Sequence, residues 1–125
     1  MKLSKITHPQ FDASFKTLLK MPGVPARSMF ALRGVAKMIA EEMLKFDETR
    51  KSIVDEFAER DAQGAYVMLT KESVKIQPDK IKEMDKKLRD LGDLDLKLIE
   101  IKYSDLGDAP TLNSEDLYHL EFIVE

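Results

Sequence analysis

Between Pro25 and Gly64 the chain contains no further proline and no clear helix stop. Pro25 suits a first helical turn, where a missing N–H removes no intrahelical bond, and Gly64 suits a left-handed cap. Within this stretch Met29, Leu32, Ala36, Ile39, Met43, Phe46, Arg50, Ile53 and Phe57 follow spacings of three and four in strict alternation. That is the apolar seam of a heptad helix. The pattern predicts one helix of roughly 39 residues, about 57 Å long at ~1.5 Å per residue. Phe30, Val35, Met38 and Leu44 widen the stripe in the first half, so that half is expected to be buried by more than one neighbour. The second half is narrower, and a helix this long outruns a domain of about 13–14 Å radius of gyration. Ile53 and Phe57 are therefore expected to carry the seam beyond the compact body.

Gly34 interrupts this helix at a cost of ~1 kcal/mol relative to alanine, which suggests a close approach by another backbone, most simply that of a preceding helix. That helix is read from Phe11, Phe15, Leu18 and Leu19, which form one stripe ending near Met21, before Pro22-Gly23. After Gly64, Tyr66–Thr70 and Val74–Gln77 read as a hairpin, although Lys71-Glu72-Ser73 lacks the glycine or asparagine of a tight turn. Pro78 opens a helix with Ile81, Met84, Leu88 and Leu91 on one face and Gly92 at its end. Leu94, Leu96 and Leu98 alternate with charge, and Ile99, Ile101 and Tyr103 continue in the opposite phase, as in a strand with a bulge near Leu98-Ile99. Asn113 is a strong N-cap for a terminal helix, with Glu115 and Asp116 in its first turn, Leu112 placed to staple onto Leu117, and Phe122-Ile123-Val124 closing its end. The resulting expectation is an α+β fold: a helical hairpin with one long helix, a small antiparallel sheet and two further short helices. The order divides a single domain, residues 1–125, into a helical part (1–64) and a small β/α part (65–125).

At 125 residues and 43% apolar content, the chain has enough material for one modest core without disulfides, and cysteine is absent. No apolar run approaches a membrane span or a signal-peptide core, which predicts a soluble intracellular protein. The net charge of −3 conceals an asymmetry. Residues 1–45 carry eight basic against three acidic side chains, and the remainder twelve against twenty. The basic end could meet phosphate or an acidic protein surface, but chance and solubility explain it as well, so nucleic acid is not an expected partner.

Groups that could carry chemistry are sparse. His8 and His119 are the two histidines, far apart in sequence and without a further ligand at metal spacing. Glu41-Glu42 and Asp93-x-Asp95 pair carboxylates, yet acid/base work needs them facing each other across a cleft. The five glycines are scattered and form no phosphate loop. Asp105-Leu-Gly-Asp108 lacks the alternating oxygen ligands and closing glutamate of a calcium loop and reads as a turn. Met29, Met38 and Met43 suit either an adaptable groove or core filling. Arg50 on the seam either marks where it ends in solvent or meets a partner carboxylate. These features predict no catalytic residues, no metal and no cofactor. A protein–protein contact is expected through Phe46, Arg50, Ile53, Val54 and Phe57, with self-association through the long helix a further expectation.

Several of these residues also define a likeness. Pro25-Ala26-Arg27 opening a long helix, Glu42 and Phe46-x-x-x-Arg50 within it, Asp61-x-x-Gly64 after it, and Ser114, Asp116, Leu117 and Phe122-Ile123 near the end resemble a loose group of small proteins of tailed bacteriophages. Gly34 and the Leu94–Tyr103 stretch lie outside the likeness. It implies a phage protein acting in the host cytoplasm or the virion, and it supplies no catalytic residues. The expected role is a non-enzymatic accessory protein that binds virion or assembly proteins. The alternative is a small inhibitor of a host enzyme or defence complex, for which the acidic second part would imitate nucleic acid.

Overall fold

The computed structural model describes residues 1–107 and 112–125. The fold is mainly α with a minor β component. Helices α1 (Leu3–Ile6) and α2 (Pro9–Leu19) precede the long α3 (Ala26–Phe57); α4 (Ile81–Gly92) follows, led in by a 3₁₀ turn at Pro78–Lys80. Strand β1 (Ile101–Lys102), a 3₁₀ turn at Tyr103–Leu106, α5 (Ser114–His119) and β2 (Ile123–Val124) complete the chain.

His8 caps α2 by accepting the Gln10 N–H at Nδ1, 3.1 Å, and Pro9 occupies the first turn. Phe11, Phe15 and Leu18 are buried as the stripe requires, whereas Leu19 lies in solvent. The partner of this face is not the long helix. α2 packs mainly on α5, and α3 mainly on α4, so the expected helical hairpin does not form. One hydrophobic cluster nevertheless draws on both halves of the sequence, with Ile6, Leu18, Val35, Leu106 and Leu120 almost wholly buried in it.

α3 is unbroken across Gly34 but ends at Phe57, seven residues before the expected stop, giving 32 residues. Ala58, Glu59 and Arg60 are good helix formers, and tertiary pairing overrides them. The Glu59 N–H donates to the Lys75 carbonyl (2.7 Å), Lys75 to Val67 (2.7 Å) and Val67 back to Glu59 (2.9 Å). Three short extended passes, eight residues apart, thus close a ring of backbone hydrogen bonds that a continuing helix would forgo. Gly64, at φ +81°, turns the first pass into the second rather than capping a helix. Asp61 supports that turn by accepting from the Gln63 and Ala65 amides. The next turn needs no glycine because the Thr70 hydroxyl accepts from the Glu72 and Ser73 amides. The expected hairpin therefore survives as an isolated antiparallel bridge, Met68 with Val74, while Arg60 pairs with Tyr66 across the unexpected turn at Gly64.

The Leu94–Tyr103 stretch is two segments with different partners, not one bulged strand. Its first part meets the N-terminus: Leu3 donates to the Leu94 carbonyl (2.9 Å) and Leu96 to that of Met1 (2.7 Å). Its second part is β1, which pairs with β2, Ile101 opposite Ile123. The phase change at Leu98-Ile99 marks the change of partner. The two-stranded sheet is parallel rather than antiparallel, because α5 lies in the crossover that returns the chain to the same direction. α5 itself starts as expected: Asn113 and Asp116 form a reciprocal capping box, and buried Ser14 donates to Asp116 at 2.7 Å, tying α2 to this cap.

Gly34 faces solvent, and a Cβ there would meet nothing within 4 Å. The close approach lies instead at Gly92, where a Cβ would stand 3.2 Å from Ser4 Cβ as α1 crosses α4. With no clash to oppose it, propensity decides the sign at position 34. Gly34→Ala is expected to stabilise the chain by about 0.5–1 kcal/mol, read as a higher urea midpoint at unchanged slope.

Candidate functional site

The five residues expected to meet a partner, Phe46, Arg50, Ile53, Val54 and Phe57, do not share one environment. Phe46 and Ile53 are half-buried against the core, and Phe57 is 4% exposed. α4 lies along this half of α3. Lys87 on α4 reaches both Glu56 carboxylate oxygens at 2.8 and 2.9 Å, and its ammonium stands 5.3 Å from the centre of the Phe57 ring. The seam therefore does not project free of the body.

Arg50 is exposed and joins none of the ion pairs among the described residues, so, while Ile53 and Phe57 beyond it return to the body, this one seam position faces solvent. Val54, one helical turn further on, is half-buried. Together they form one wall of an open groove of about 560 Å³, whose other wall is Tyr66, Val74, Ile76 and Met84. Tyr66 is braced by its neighbours. The Arg60 guanidinium lies 4.3 Å from the ring centre and donates to Asp55 (3.0 Å) and to the Gly64 carbonyl (2.9 Å), and the Tyr66 hydroxyl donates to the same Asp55 carboxylate. Beyond Tyr66 the ribbon leaves Met68 and Leu69 outward, Leu69 with 67% of its surface exposed. The rim carries both signs, with Lys51 and Asp55 on the helix and Glu72 on the ribbon.

The remaining candidates are dispersed. Glu42 pairs with Lys45 at 2.7 Å and raises that ammonium above the usual lysine value, chiefly by the hydrogen bond. Asp93 pairs with Lys2 and Asp95 with the N-terminus. His8 and His119, distant in sequence, stack at 5.3 Å between ring centres. Among the described residues no group of three or more His, Cys, Asp or Glu could hold a metal ion, and no helix is long and apolar enough to cross a membrane. The Asp105–Asp108 turn falls partly outside the described residues. Of the three methionines of α3, Met38 and Met43 pack against the core while Met29 is exposed. Sequence spacing pointed to Arg50 and Val54 but missed Tyr66 and Met84, which only the turn at Gly64 and the packing of α4 bring beside them. No protein-family model, curated protein or solved structure matches the chain.

Proposed function

We propose that the chain is a non-enzymatic accessory protein of a tailed bacteriophage that binds a virion or assembly protein through the groove between the second half of α3 and the ribbon. The observation that supports this reading is the braced Tyr66 across the groove from Arg50 and Val54, with Met68 and Leu69 exposed further along the ribbon. Rigid aromatic anchors, an arginine and apolar side chains that enter no core of their own are the composition of interface centres. The likeness to phage proteins supplies the setting, host cytoplasm or virion. A host-directed inhibitor is the second reading, favoured by the excess of eight acids over bases in residues 46–125.

The test keeps the fold and spoils the groove. Tagged parent chain is expected to retain a phage structural protein from infected cells, and Val54→Glu with Arg50→Glu, both on the groove wall, to reduce that recovery at least ten-fold while the circular dichroism spectrum is unchanged. Recovery of a host enzyme would instead support the inhibitor reading. Equal recovery by parent and variant would refute the groove.

A further inference from the structure

The face of α3 opposite the core carries a second seam. Phe30, Gly34, Lys37, Glu41, Leu44 and Glu48 follow spacings of four and three, and every one of them is exposed, Phe30 by 82% and Leu44 by 62%. Phe30 and Leu44 were expected to widen the buried stripe. They do the reverse, because α4 and the N-terminal helices cover only the side of Leu32, Val35 and Ile39.

This second seam is complementary to itself. A two-fold axis at the height of Ile39, with two copies of α3 antiparallel, brings residues equally far before and after position 39 level with one another. Lys37 then meets Glu41 of the other copy, and Glu41 meets its Lys37. Gly34 meets Leu44, and Phe30 lies over the stem of Glu48. An isologous contact requires every pairing to occur twice, and these do. Lys37 and Glu41 join none of the ion pairs among the described residues, so both charges remain available to a second copy. Gly34 also gains a reason: the chain's own body leaves its surface open, and in this register the missing side chain makes room for Leu44. The seam from Phe30 to Glu48 is about 27 Å long at ~1.5 Å per residue, enough for a weak, concentration-dependent pair of helices.

We infer that the solvent face of the first half of α3 is a homodimer interface, two copies pairing antiparallel about Ile39 through Lys37–Glu41 ion pairs and Leu44 seated over Gly34. This differs from self-association through Ile53 and Phe57, and it stands apart from the groove, which lies on another side of the helix.

Charge exchange tests it. In sedimentation equilibrium at hundreds of micromolar, the parent is expected to approach twice the 14.3 kDa chain mass and to dissociate on dilution. Lys37→Glu and Glu41→Lys, each setting like charges opposite, are expected to weaken the dimer ten-fold or more. The double variant restores it, and so does an equimolar mixture of the two single variants, which pairs only as a heterodimer. Val54→Glu leaves the dimer unchanged, so a failed groove and a failed dimer are distinguishable. A parent that stays at 14.3 kDa across the range, or a dimer indifferent to both single exchanges, overturns the inference.

Discussion

Gly107→Ala is expected to destabilise the fold by about 4 kcal/mol, the sum of two independent penalties. Gly107 has φ +112° and ψ −175°, a conformation essentially closed to residues with a side chain, at a strain of roughly 1–3 kcal/mol. A Cβ there would also stand 2.6 Å from the Gly23 carbonyl oxygen, a contact that backbone must move to relieve, at a cost of about 1–3 kcal/mol. The substitution therefore separates the turn before α3 from the one after β1, which Ser28 also joins by donating to the Asp105 carbonyl at 2.5 Å. A urea titration reads this as a lower midpoint at the same slope. A change of about 2 kcal/mol or less, no more than the backbone strain alone, would mean the two turns do not meet.

Phe57→Ala should be nearly as costly, about 3 kcal/mol or more, as for other buried phenylalanines. Phe57 is the last residue of α3, lies beneath Lys87, and accepts the Gln77 amide at its carbonyl, 3.0 Å. Removing the ring hollows the junction of α3, α4 and the ribbon. If the seam instead projected into solvent, the same change would leave stability within ~0.5 kcal/mol, and the measured midpoint separates the two cases.

These residues show which parts of the architecture are legible in the sequence. Helix existence follows local periodicity, so α2, α3 and α4 and the Asn113 cap are found where their stripes and caps predict. Helix ends and partners depend on contacts between distant segments. Good helix formers continue through Ala58–Arg60 without a stop signal, and nothing local announces that Glu59 will hydrogen-bond to Lys75 and Val67. Spacing also cannot separate a buried stripe from an exposed one when both are apolar, which is why Phe30 and Leu44 read as core beside Leu32 and Val35. α1 escapes notice because four residues give no period. The candidate groove was half visible, through Arg50 and Val54; Tyr66 and Met84 reach it only through tertiary structure.

If the groove beside the second half of α3 receives another protein, a photoreactive side chain placed inside it captures that protein. A benzophenone side chain at Glu72, on the groove wall, should form a covalent adduct with one phage structural protein in infected cells, while the same group at Lys97, which lies outside the groove, should not. Adducts of equal yield from both positions, or from Lys97 alone, would contradict it.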